Sequence, residues 1–170
     1  MAIDKIQSES INLADTFAFT GTVTGAGESN KPSFYATRSG AQSISNNTYT
    51  KLQVNTEVVD TNSAYDNSSN YRFTVPSGEA GLYSFTARSS LNNVNDDQRG
   101  QIVLAVNGTR DSKTMHRDYS TGADQALYVG TTGIFNLSVG DYVEVFVLQN
   151  SGATEDADNN FFAGYKICSV

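Results

Sequence analysis

The chain has 170 residues, enough for one domain with a sizeable core and too few to expect two. Its formal net charge of −7 and isoelectric point near 4.5 argue against a nucleic-acid partner, which would need clustered Lys and Arg. No run approaches the ~18 apolar residues of a membrane span, and a single cysteine, Cys168, excludes an intrachain disulfide. The chain is rich in Ser, Thr, Asn and Gly, with nine Tyr and nine Phe but two Pro. Such residues suit strands joined by many turns and suit helices poorly.

Residues 1–30 read as an arm. Ile3, Ile6, Ile11 and Leu13 are scattered apolar anchors, Phe17 and Phe19 open a strand-like run reaching Val23, and 25–30 form a Gly-containing linker. This segment has too little apolar mass for a core of its own, so it is expected to order by lying on another surface. The opening MAIDKIQSES lacks the layout of a secretory signal, which points to assembly in a cytoplasm. The N-x-S/T triplets at Asn46, Asn67, Asn107 and Asn136 are then read as chance matches.

From Lys31 onward β-signals recur at short spacing. The sequence predicts a first strand at 34–37 and two short strands, or one bulged strand, between Tyr49 and Val59. YRFTVPSGEAGLYSF (71–85) reads as two alternating strands around a Pro76-Ser77-Gly78 corner, the second extending toward Leu91. A strand at 101–106 ends at Asn107-Gly108, a type I′ hairpin signal. Further strands are expected at 127–129, 133–137, 142–148 and 161–170. No apolar repeat of 3.6 residues reaches helical length, so the reading is an all-β sandwich or jelly roll.

The chemistry-bearing residues are few. His116 is the only histidine, in what reads as a polar surface loop, and no G-x-S-x-G elbow accompanies it. Cys168 falls in the last strand with no basic neighbour to make it a thiolate, and reads as a structural residue. The chain is therefore expected not to be an enzyme and to hold no cofactor. Two His/Cys residues cannot build a zinc site. Calcium takes oxygen ligands, and the acidic turns at Asp96, Asp97 and at Glu155, Asp156, Asp158 supply them, although neither follows the EF-hand pattern. Tyr65, Tyr71, Tyr119 and Tyr128 are placed where rings could stack on sugars, with core or interface packing as the plainer fate of each.

Several blocks, in order, resemble the C1q/TNF-like heads. These are PSFYATRS, then Asn55, Tyr65-Asp66, Phe73-Thr74-Val75-Pro76 and Gly81-Leu82-Tyr83-Ser84-Phe85, then LAVNG, LSVGDYVEV and FFAGYKI. The resemblance spans roughly 31–170. It implies a ten-stranded antiparallel jelly roll that assembles as a homotrimer. Phe34, Phe73, Pro76, Tyr83, Phe85, Tyr142, Phe146, Phe161, Phe162 and Gly164 are then expected in the core or trimer seam. Ser77-Gly78-Glu79-Ala80 lengthens the corner where the family usually has one Gly, and no collagenous stalk is present. SINLADTFAFTGTVTGAG in the arm resembles segments of bacteriophage tail and structural proteins. Together these imply a virion surface protein, a capsid decoration or head fibre, with the arm bound to a capsid or tail protein. The alternatives are a tail-fibre tip that binds a host glycan or surface protein, and a secreted lectin-type module.

Overall fold

In the computed structural model, which describes residues 31–170, the alternating runs form thirteen strands among the described residues. They are β1 (Ser33–Thr37), β2 (Gln42–Ile44), β3 (Thr50–Lys51), β4 (Thr56–Asp60), β5 (Tyr65–Asp66), β6 (Arg72–Thr74), β7 (Gly81–Val94), β8 (Arg99–Val106), β9 (Thr109–Arg110), β10 (His116–Tyr119), β11 (Gln125–Leu137), β12 (Tyr142–Gln149) and β13 (Glu155–Cys168). The first sheet runs β11-β7-β13-β1-β4, with β2 also on β13. The second runs β10-β8-β12-β6-β5, with β3 on β12 and β9 on β8. Pairing between named strands is antiparallel throughout. The all-β two-sheet sandwich is the expected class.

The strand inventory is longer than the ten expected. Fragments such as β2, β5 and β9 are too short to leave a period in sequence, and the runs at 127–129 and 133–137 fuse into β11. Two expected loops are strands. His116–Tyr119 is the edge strand β10, with all four residues exposed, so polarity alone concealed it. Glu155–Asp158 begins β13: Ala157 is buried while its neighbours point outward, and Asn159 adopts a left-handed φ of 51° at a bulge before Phe161.

The core between the sheets has two regions. Near the end where β1 begins and β13 finishes, hereafter the base, Phe34, Tyr65, Phe73, Tyr83, Phe85 and Phe162 pack as one aromatic cluster. Phe34 stacks on Tyr65 at 4.8 Å and meets Phe162 edge-on at 4.9 Å between ring centroids. Gly164 faces into this cluster, where a Cβ would collide with Phe85 and Phe34. Toward the opposite end, the apex, the core is aliphatic, with Ile44, Leu91, Val94, Ile102, Leu127 and Val147. The base loops are tied by side chains: Asn107 donates Nδ2 to Asp141 Oδ1 (2.8 Å) and accepts from the Tyr142 N–H (3.0 Å). Asn107 and Gly108 both take positive φ, 51° and 77°, as a type I′ turn demands.

Candidate interaction surface

The outward face of the first sheet follows directly from register and alternation. Across its strands, one row reads Val59, Tyr35, Ala163, Thr86, Thr132, and the next reads Ser33, Tyr165, Ser84, Ile134. A third reads Thr37, Phe161, Arg88, Gly130. In these three rows Arg88 is the only charged residue, and its guanidinium lies over the Tyr128 ring at 5.1 Å. Tyr35 and Phe161 meet edge-on at 6.1 Å. Beside them a shallow groove of about 320 Å³ runs between Tyr35, Val59, Ser84, Ala163 and Tyr165. Five large apolar side chains stand exposed on this one face: Tyr35, Val59, Tyr128, Ile134 and Tyr165.

The outward face of the second sheet is chemically different because the chain covers it itself. Gln101, Val103 and Ala105 of β8 point outward yet are buried. Tyr49 lies over this region, with its hydroxyl 2.6 Å from the Gln101 amide, whose oxygen accepts from Arg117 Nη2 at 2.9 Å. Arg110 stacks on Tyr49 at 4.2 Å and Arg72 on Tyr142 at 4.0 Å. Glu144, also outward and buried, pairs with Lys51. Tyr142 and Phe146, expected in the core or seam, lie on this second face, because β12 is buried on both sides and its period does not reveal which side is inward.

The remaining expected residues fall as follows. Phe34, Phe73, Tyr83, Phe85, Phe162 and Gly164 point into the core, Phe161 lies on the outward face of the first sheet, and Pro76 sits half-buried at the base corner. Tyr65 is buried, so its ring is not available to a sugar, and its hydroxyl donates to Val54 O at 2.9 Å. Burial, then the Asp66 charge, holds its phenol well above the ordinary value. Tyr83 is pushed up to about 12 by burial and then by the Glu79 charge. The Asp66 carboxylate is held far below the usual range by the Ser69 N–H, then Ser68 and Asn70, which closes the turn after β5. Asp141 is lowered by Asn107 and then the Ser138 N–H.

His116 accepts from the Gly130 N–H through Nδ1 at 3.4 Å, bracing β10 against β11. Cys168 is partly buried at the end of β13. Of the calcium candidates, Asp156 accepts from Ser43, Asp158 from Asn92 and Glu155 from Asn93, while Asp96 and Asp97 lie in the separate 95–98 turn. Among the described residues, no three His, Cys, Asp or Glu side chains are grouped to hold an ion. Ile3, Ile6, Ile11, Leu13, Phe17 and Phe19 lie outside the described residues. No described helix is long and apolar enough to cross a membrane.

Comparison of the whole architecture decides the fold. The globular domain of zebrafish complement 1qA is 17% identical, superposes with a TM-score of 0.58, and aligns over 82% of this chain and all of its own. The fold is the C1q/TNF jelly roll. Eiger TNF from S. frugiperda is 14% identical with a TM-score of 0.56, over 81% of this chain and 92% of its own. Murine APRIL is 14% identical, also at 0.56, over 79% of this chain and 98% of its own. No protein-family model matches the sequence, and a search of curated proteins finds no relative. At 14–17% identity the likeness is one of the jelly-roll fold alone.

Proposed function

We propose that this chain is a non-enzymatic, homotrimeric binding or display module whose outward face on the first sheet forms the threefold seam. The observation that carries the reading is the asymmetry of the two sheet faces. One exposes Tyr35, Val59, Tyr128, Ile134 and Tyr165 around an apolar groove; the other is sealed by its own arginines and Tyr49. A contiguous apolar surface of this kind on a folded domain marks an interface, and trimeric assembly is what the C1q/TNF resemblance implies. Three copies would present the apical loops together, so that weak contacts gain avidity. Light scattering of the full chain is expected to give three times 18.3 kDa; a monomer at micromolar concentration overturns the seam.

The arm's resemblance to phage structural segments supports placing the trimer on a virion, anchored through residues 1–30 to a capsid or tail protein. Electron microscopy of particles with an antibody to the head tests this placement. Label spread over the shell means decoration, label confined to the tail means a fibre tip, and unlabelled particles end the virion reading while leaving the trimer intact.

A further inference from the structure

Although the chain carries a net charge of −7, its second sheet turns five of the eleven Lys and Arg side chains to one face. Register with the inward Ile102 and Val143 places Lys51 of β3, Arg72 of β6, Arg99 of β8, Arg110 of β9 and Arg117 of β10 outward together. Two carboxylates share that face. Glu144 is buried and paired with Lys51, and Asp66 is held by the N–H groups of its own turn. The four guanidinium groups are fixed instead by neutral partners. Arg72 lies over the Tyr142 ring and Arg110 over Tyr49, Arg117 donates to the Gln101 amide oxygen, and Arg99 Nη2 lies 3.5 Å from Asn47 Oδ1. Among the described residues none of the four forms an ion pair. The positive charge here is therefore both uncompensated and held in place, so that binding an anion orders few side chains.

We infer that this face binds an acidic polysaccharide, through carboxylate or sulfate groups spaced along the polymer. The inference deepens the binding-module reading and rests on its placing the seam on the first sheet, which leaves the second outward. Spacing favours such a polymer. Arg110 sits opposite Ala105 and Arg117 opposite Gln101, four residues apart along β8, or about 13 Å. Arg72 continues the row Arg110, Ala105, Glu144, three strand spacings or about 14 Å from Arg110. A hollow of about 500 Å³ beside Arg110 is lined by Thr109 and Ser112, residues able to hydrogen-bond sugar hydroxyls. Tyr119, 50% exposed opposite Arg99, leaves a ring open to stack on a sugar. Nucleic acid fits poorly. Duplex DNA carries a charge every ~1.7 Å, and single strands need open rings for base stacking, whereas Tyr49 and Tyr142 are capped by guanidinium groups. A protein partner would need an apolar pocket for its anchor residues, and here Val103 and Ala105 are already buried.

Titration calorimetry of the full-length protein at low salt tests this. The acidic probes are hyaluronate, with a carboxylate on alternate sugars, and dextran sulfate; dextran is the neutral one. Binding is expected to one or both acidic polymers and not to dextran, and to weaken as salt rises. Arg110→Gln with Arg117→Gln is expected to lower the affinity by about tenfold or more at unchanged Tm and mass. Lys31→Gln, an exposed change off this face, should leave it intact. No binding to either acidic polymer, equal binding to dextran, or full affinity in the double variant overturns the site. Tighter binding of polyglutamate or oligodeoxythymidine than of either polysaccharide overturns the ligand class. Light scattering of the same samples keeps the two readings apart. A trimer that does not bind overturns this site and leaves the seam; a monomer that binds upholds the site and overturns the seam.

Discussion

At Gly164 the core leaves no room for a single methyl group. An added Cβ would fall inside contact distance of Phe85 and reach 2.9 Å from Phe34 Cε1, both ring atoms held in the aromatic cluster. Gly164→Ala is therefore expected to destabilise by about 1–3 kcal/mol through overpacking. At about 2–4 °C per kcal/mol for a domain of this size, calorimetry should read the loss as a lower Tm. The same cluster is expected to contribute to loss of stability at alkaline pH. Tyr65 and Tyr83 both have phenols raised by burial, Tyr83 to about 12. A folded-state value above the unfolded one means the folded protein keeps protons that the unfolded chain has lost. Stability is then intact below pH 10 and falls as pH rises through about 12. Thermal melts from pH 8 to 12 should show that slope, and Tyr83→Phe should flatten it; an identical slope in the variant would rule Tyr83 out as its source.

Among the elements, the corner between β6 and β7 shows what the longer wording accomplishes. Glu79, within the extra residues, places Oε2 3.0 Å from Lys166 Nζ, and Lys166 is an inward-pointing lysine with a 5% exposed side chain at the base of the core. The Tyr83 hydroxyl donates to the Glu79 carbonyl, fixing the corner from below. Removing the carboxylate with Glu79→Ala is expected to cost about 1–3 kcal/mol. Adding Lys166→Met should recover part of it, since an apolar group of similar volume replaces the charge left buried beside the lost carboxylate. Urea melts of the two variants check this; a double variant as weak as the single one would mean the pair is not the cause. The corner itself was legible in sequence because Pro76, Gly78 and the alternating aromatics each impose local geometry. The Glu79–Lys166 pair was not, since 87 residues separate its members and only the β7–β13 pairing joins them. Strand β10 and the start of β13 were hidden for a related reason. Exposed edge strands and acid-rich strand ends carry the same residues as turns, and only pairing to β8, or to β7 and β2, distinguishes them.

For the whole molecule, the proposed trimer needs one of the two sheet faces to meet another copy, and the question is which. Composition cannot decide it, because both faces carry tyrosines: Tyr35, Tyr128 and Tyr165 on one, Tyr119 and Tyr142 on the other. The structure separates them by what surrounds each ring. Tyr142 lies beneath Arg72, and Tyr119, although 50% exposed, stands on the edge strand β10 opposite Arg99. Tyr165 and Tyr35 flank a groove with Val59 and Ala163 and no charged lining residue. A carboxylate introduced there would have to be desolvated without a partner when the seam closes. Tyr165→Asp is therefore expected to yield a folded monomer by light scattering, with unchanged far-ultraviolet circular dichroism, because the ring is 47% exposed within one protomer and contributes little to its core. Tyr119→Asp, of equal exposure on the other face, should leave the trimer whole. If Tyr119→Asp dissociates it and Tyr165→Asp does not, the seam lies on the second sheet and the first is free to bind something else.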